Sequence, residues 1–307
     1  MSGFPQLCHT EVIGTSSLGR ELVAFHLASR ALHEPTARLL VTAQIHAGEY
    51  VAGYVARALV RTLLEEYERD PTVSTLLRRA TVTVVPLLNP DGAHFVWQRR
   101  GWVGFKGARA TANGVDPNRN FPFVSIPGRR AWNSSSSRPW SPYYRGPHPL
   151  SEPECLALAR LCKRARFCAA VHLHSFGGVT FFPASANPQV AHVLDVFRDV
   201  FPAAQRHHRY RPVPEPVSAL CGQLDLFLLH AFGTPSATVE VSRPRFALAL
   251  RPQRWLHFFS WANPPDPERW VENDVPATIR VLGALLERTR GHPLLPEHPE
   301  MAEQVPE

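Results

Sequence analysis

The chain has five cysteines, an odd number, and no C-x-x-C pair among them. A fully paired disulfide framework is therefore excluded, and Cys8, Cys155, Cys162, Cys168 and Cys221 are expected as free thiols. No apolar run approaches the roughly 20 residues that span a bilayer. The opening MSGFPQLCHTEVIGTSSLGRELV lacks the basic stretch followed by an apolar one that marks a secretory signal. These absences give the expectation of a soluble, cytoplasmic protein without membrane association. Lysine is nearly missing too: only Lys106 and Lys163 occur, so arginine carries the formal net charge of +7. The arginines are scattered, with short clusters at Arg99–Arg100 and Arg129–Arg130, and no basic block is interleaved with aromatics. Neither a helix-turn-helix nor an RNP-like pattern is present, so no nucleic-acid partner is expected. Three hydrolase signatures fail as well. There is no G-x-S-x-G elbow, HEPTA at His33 lacks the second histidine of H-E-x-x-H, and Tyr50 denies an H-x-x-E-H reading of IHAGEY.

What is present suits one globular α/β domain. Hydrophobic content of 44% and charged content of 19% in 307 residues supply a sizeable core. Of the thirty prolines, ten gather in RPVPEPV, NPPDPERW and HPLLPEHPEMAEQVPE. Residues 1–290 are thus expected as the folded domain, and 291–307 as a poorly ordered Pro/Glu-rich tail. ELVAFHLA, ARLLVTAQI, ATVTVVPLL, FCAAVHLH and SATVEV read as strands, several apolar throughout, as in a sheet buried on both faces. Helical spacing marks EYVAGYVARALVRTLLEEYERD, SEPECLALARLCKRA, QVAHVLDVFRDVF, QLDLFLLHAF and VPATIRVLGALLERTRG. NPDG reads as a turn, and Ser151 with Glu154 as a capping box. The alternation predicts a single-domain α/β fold: a mixed, mostly parallel twisted sheet with helices on both faces. Residues 93–145 show little periodicity, and a stretch that long is usually an active-site surface.

The unusual polar residues fall just beyond strand ends. His46 and Glu49 follow ARLLVTAQI, NPDG follows ATVTVVPLL, His174 ends CAAVHLH, and Glu240 ends SATVE. In open parallel sheets, ligands bind in the crevice beyond the carboxyl ends of the strands, so these four exits can meet. Taken alone, H-x-x-E is a spacing that chance produces; the convergence gives it weight. A catalytic zinc takes three protein ligands, commonly two His and one Glu, and leaves a fourth position open. His46 and Glu49, three apart at a helix start, share a face and can address one ion. His174 is placed to supply the third ligand, and His172, on the same strand face by period-2 alternation, is its rival. The metal would lower the pKa of its bound water from about 15.7 to about 7. Glu240 would then act as general base and afterwards protonate the leaving amine.

Taken in order, these segments resemble the zinc metallocarboxypeptidases of the pancreatic carboxypeptidase type. The motifs are IHAGEY, NPDG, GVDPNRNFP, RGPHPLSEPE, LHSFGG and TVEV, spread over residues 46–240. The resemblance implies one Zn2+ per chain, held by His46, Glu49 and His174, with Glu240 as the general base. It implies that Asn118 and Arg119 grip the substrate's terminal carboxylate, a task suited to an arginine fork. Asp116 would hydrogen-bond the non-ligating nitrogen of His46. A cation that polarises the scissile carbonyl usually stands shortly before GVD; here Lys106 is the candidate, with Arg109 as the alternative.

Three departures stand out. Gly48 occupies a position where digestive members carry arginine. The flexible tyrosine upstream of the catalytic glutamate has no clear counterpart in RYRPVPEPVSALCGQLD, where Tyr210 is out of register. No propeptide is expected either. The chain is therefore similar to the cytoplasmic bacterial members, which include murein peptide amidases. The implied activity is hydrolysis of a peptide or amide bond next to a free carboxylate in a small peptide or peptide-like substrate. One alternative is an N-acyl amino acid deacylase of the succinylglutamate desuccinylase and aspartoacylase type, whose span between NP and NR motifs is much shorter than Ala93–Val115. The other is a catalytically inactive peptide-binding pseudoenzyme. Leu224 suggests an apolar side-chain pocket, while His207–His208 and Tyr143–Tyr144 read as surface or loop packing.

Overall fold

The computed structural model describes residues 4–29, 37–123, 135–216, 221–243 and 257–307, with 245, 250 and 253 besides. His33 and the Arg129–Arg130 pair lie outside them. The strands are β1 (Cys8–Thr15), β2 (Glu21–Leu27), β3 (Ala37–Ala43), β4 (Ala80–Val85), β5 (Ala169–Ser175), β6 (Val179–Ala184), β7 (Arg211–Pro216) and β8 (Ser236–Val241). They form one sheet in the order β1-β2-β4-β3-β5-β8-β6-β7. The pairs β3–β4, β3–β5, β5–β8 and β6–β7 are parallel, and the other three are antiparallel. This is the mixed, mostly parallel sheet that the alternating pattern predicts.

The helices are α1 (Tyr50–Glu65), α2 (Pro71–Arg79), α3 (Pro90–Gln98), α4 (Phe105–Arg109), α5 (Pro153–Ala165), α6 (Pro188–Ala204), α7 (Leu224–Phe232), α8 (Phe259–Ala262), α9 (Glu268–Thr289) and α10 (Glu300–Glu303). Leu39, Val41 and Ala43 of β3 enter a core with residues of α1, α6 and α9, such as Leu59, Phe197 and Leu282. Their neighbour Leu40 enters a second core on the opposite face, with Leu158 of α5, Phe227 of α7 and Met301 of α10. A central strand with a core on each side has no polar face, hence its near-continuous apolar run. Each fully buried aliphatic side chain there contributes about 1.5–3 kcal/mol.

The differences from the sequence reading have local causes. β1 is an edge strand with a register shift between Val12 and Gly14, so its alternation is broken. β7, also at an edge, carries Pro212 and Pro214, which an edge strand tolerates because it needs fewer ladder donors. NPDG is not a turn but the start of α3: the Asn89 side chain accepts from the Gly92 N–H at 2.9 Å, and Pro90 takes the first helical position. The Ser151–Glu154 capping box does not form. Pro153 starts α5 and leaves Glu152 at the cap, while Ser151 Oγ donates to Glu152 and accepts from Asn120. Residues 291–307, expected as a loose tail, are docked instead. Leu294 and His298 N–H groups donate to the carbonyls of Gly233 and His230, Lys163 donates to the Val305 carbonyl, and Met301 and Val305 are buried.

Tyr210 proves to be a core residue. Its hydroxyl donates to Asp274 Oδ2 at 2.7 Å and accepts the Ser242 N–H at 2.9 Å. Gln205 and Asn273 both donate to Asp274 Oδ1. Burial raises the Asp274 carboxyl to about 7, so the folded state holds this proton more tightly than the unfolded chain does. That stabilisation is complete below about pH 4 and is lost as pH rises through about 7. Asp274→Asn is expected to lessen the decline in unfolding free energy across that window by at most about 4 kcal/mol. Urea unfolding at a series of pH values measures it, and an unchanged pH profile would rule the protonated carboxyl out.

Candidate active site

The central parallel strands end on one side of the sheet, and the site is assembled there. After β3 the chain turns through Gln44, whose φ is 51°, and His46 and Glu49 follow before α1 begins. His174 is the next-to-last residue of β5, the strand paired with β3. His46 Nδ1 lies 2.7 Å from Glu49 Oε1, and His174 Nδ1 lies 3.2 Å from Glu49 Oε2. One ligand atom from each residue falls within 4.8 Å of the others. All three are buried, at 3%, 6% and 2% exposure. Burial alone would raise the Glu49 carboxyl, but the His46 and His174 rings outweigh it and hold the group down at about 2.

This arrangement fits a cation. Glu49 Oε2 is buried without a hydrogen-bond partner, because its approach to His174 lacks hydrogen-bonding geometry. An ionised carboxylate oxygen with two imidazole nitrogens in reach is the donor set of a catalytic zinc site. His172 lies outside this group; its Nδ1 faces Thr42 Oγ1 at 2.8 Å, its Nε2 is buried without a hydrogen-bond partner, and burial lowers its pKa to about 3.

Behind the group stands Asp116. Its Oδ1 lies 3.2 Å from His46 Nε2, the nitrogen not facing Glu49, and accepts the Asn118 N–H at 3.0 Å. Its Oδ2 accepts from Arg109 Nε at 3.1 Å and Nη2 at 2.7 Å. Burial works against this charge, but Arg109 and then His46 keep the carboxyl far below the usual carboxylate range. Lys106 and Arg109 diverge. Arg109 stays beside Asp116, whereas Lys106 Nζ donates to the Pro139 carbonyl and lies by Gly114. Arg109 therefore belongs to the buried group and Lys106 to the loop surface.

Gly48 explains how α4 comes so close. Its N–H donates to the Ala108 carbonyl at 2.7 Å, and a Cβ at Gly48 would stand 3.1 Å from the Ala108 Cβ. Asn263, which the sequence did not single out, pins the same loop: its side chain donates to the Gly48 carbonyl and accepts the Val51 N–H. Glu240 is the register partner of His174 on the adjacent parallel strand β8, so both side chains leave the same face. A Cβ at Gly177 would meet the Glu240 Cβ at 2.9 Å. Only glycine allows that approach without displacement.

Asn118 and Arg119 are buried in the short 3-10 turn Pro117–Arg119. Asn118 Oδ1 accepts the Leu224 N–H at 3.0 Å, and Arg119 Nη1 donates to the Asn118 carbonyl at 2.6 Å. Tyr143, read from sequence as loop packing, lies at the centre of the cationic side. The guanidinium carbons of Arg109 and Arg119 stand 5.2 and 5.5 Å from its ring centroid. Beyond the aperiodicity of residues 93–145, nothing in the sequence signals this.

A zinc carboxypeptidase family profile matches residues 1–218, and the chain belongs to that family. Membership implies Zn2+ as cofactor, and His46, Glu49 and His174 could hold it. The chain is 29% identical to carboxypeptidase A6 of Mus musculus over 188 residues, which cover 59% of this chain and 41% of the relative. It is 28% identical to the inactive metallocarboxypeptidase ECM14 of Ajellomyces capsulatus over 199 residues, 60% of this chain and 31% of that one. The chain thus spans less than half the length of the curated relatives it matches first. Carboxypeptidase A from Helicoverpa armigera shares the fold, with a TM-score of 0.71 at 18% identity, covering 94% of this chain and 70% of that one.

Removing the carboxylate behind His46 tests the metal assignment. Asp116→Asn is expected to weaken zinc binding about 10–100-fold, as measured by competition with a chromophoric chelator. Unchanged affinity would show that Asp116 does not orient His46 toward a metal.

Proposed function

We propose that this protein is a zinc-dependent hydrolase that cleaves a peptide or amide bond adjacent to a free carboxylate. The observation that carries the reading is the juxtaposition of the buried His46–Glu49–His174 group with Glu240, in register beside His174. Bound there, zinc supplies Lewis acidity that makes an attacking water acidic near neutrality. Asp116 holds His46 through Nε2 and so leaves Nδ1 facing the metal position. Glu240 takes the proton from the attacking water and returns it to the departing amine nitrogen. Arg119, with Asn118 beside it, receives the substrate carboxylate, whose planar oxygens match a guanidinium fork. Arg109 stabilises the negative charge that develops on the scissile carbonyl oxygen. Its contact with Asp116, which itself touches His46, favours it over Lys106 for that role.

The folding of residues 93–115 into α3 and α4 favours a peptidase or peptide amidase over an N-acyl amino acid deacylase. That segment delivers Arg109, and a much shorter span could not. The substrate class remains small peptides and peptide-like amides with a free carboxylate.

Two experiments test the reading. Glu240→Gln is expected to lower kcat by about 10²–10⁴-fold while metal analysis still finds one zinc per chain; an active variant would remove Glu240 from proton transfer. A wild-type protein that holds zinc but hydrolyses none of a panel of C-terminal peptides, murein-type peptides and N-acyl amino acids would favour the pseudoenzyme. For the two cations, Arg109→Ala is expected to reduce kcat by about 10²–10³-fold and Lys106→Ala by less than about 3-fold. Steady-state kinetics of both variants decides between them, and the reverse ordering would move the role to Lys106.

A further inference from the structure

Arg109 and Arg119 bring two guanidinium groups into the same buried corner, and each disfavours the other's charge. Asp116 neutralises one of them with two hydrogen bonds. Tyr143 lies at both. The residue is 8% exposed, and the guanidinium carbons stand over its ring at 5.2 and 5.5 Å. The face of an aromatic ring carries negative charge, so it attracts a cation most strongly where water is excluded. Tyr143 is also fixed at the backbone. Its N–H donates to Ser141 Oγ at 3.1 Å, and its carbonyl accepts the Ser136 N–H at 2.9 Å. The next residue, Tyr144, accepts the Asp116 N–H on its carbonyl at 2.8 Å. One dipeptide thus touches the backbone of Asp116, whose carboxylate holds Arg109, and both arginines themselves.

We propose that Tyr143 is a positioning residue whose ring holds Arg119 in place to receive a substrate carboxylate, while Asp116 keeps Arg109 turned toward His46. This rests on the carboxylate-binding reading of Arg119 given above. The role belongs to the ring face, not to the phenol. Without the ring, Arg119 is left to the pull of the buried carboxyls of Asp116 and Asp225, and its fork is no longer presented to substrate.

The test uses the zinc-loaded protein. Calorimetric titration compares N-acetylphenylalanine, which has a free carboxylate, with N-acetylphenylalaninamide, which has none; steady-state kinetics runs alongside. Tyr143→Leu is expected to weaken carboxylate binding and raise KM about 10-fold, with a much smaller change in kcat and none in amide binding. Tyr143→Phe, which keeps the ring, should restore KM to within about 2-fold of wild type. Phenylalanines fluorinated stepwise at position 143 keep the ring's shape and strip charge from its face, so carboxylate affinity should fall with each fluorine even if Tyr143→Leu does not fold. A flat fluorination series, or a Phe variant as impaired as Leu, would overturn the proposal. Equal affinity of wild type and Tyr143→Leu for the carboxylate would overturn it while leaving the reading of Arg119 intact. A wild type that does not prefer the carboxylate to the amide would remove both.

Discussion

The site depends on one buried carboxylate. Asp116 is 1% exposed, and a charge so placed is costly unless it is paired and hydrogen-bonded. It is satisfied by His46 Nε2, by the Asn118 N–H and by two donors of Arg109. Those partners are the first histidine of the metal group, the turn that carries Arg119, and the cation nearest the group. The loop before α1, the end of α4 and the 117–119 turn are therefore held at one point by a single electrostatic requirement. Through Tyr144, which accepts the Asp116 N–H, the 135–150 loop is tied to the same point.

The sheet contributes a different kind of order. β5 sits between β3 and β8, all three parallel, so their ends are adjacent by construction. His174 and Glu240 are register partners, and their relative placement needs no loop at all. His46 and Glu49 depend on a loop, and that loop is stapled from outside by Asn263 and Ala108. The His46–Glu49–His174 group is thus part rigid strand and part clamped turn. Tyr210 adds a support at the carboxyl end of β8, where its hydroxyl accepts the N–H of Ser242, two residues beyond Glu240.

Much of this was legible in the sequence, for physical reasons. β3, β5 and β8 are buried on both faces, so their apolar runs announce them and their polar ends stand out. His46, Glu49, His174 and Glu240 were legible because each follows or closes such a run. Periodicity could not choose between His174 and His172, since both share a face; in space it is His174 that lies with His46 and Glu49. Lys106 and Arg109 could not be separated by spacing, because their directions depend on how α4 docks against Gly48 and on which of them reaches Asp116. Tyr143 and Asn263 were invisible for the same reason: their partners are remote in sequence. The docked tail was misread because proline-rich composition reports the lack of regular structure. Met301 and Val305 show that an irregular segment can still be packed.

Gly48 began as a missing arginine and ends as a point of contact between two backbones. A Cβ here would come tight against Ala108, the residue before Arg109. Positive charge at this wall of the site is thus supplied by a helix leaning in, and not by a side chain reaching out from the metal-binding loop. A side chain at Gly48 would press on Ala108 from 3.1 Å and oblige α4 to yield by a few tenths of an ångström. The loop and the helix that carries Arg109 are thus coupled through a single close contact, and a change on one side is felt on the other.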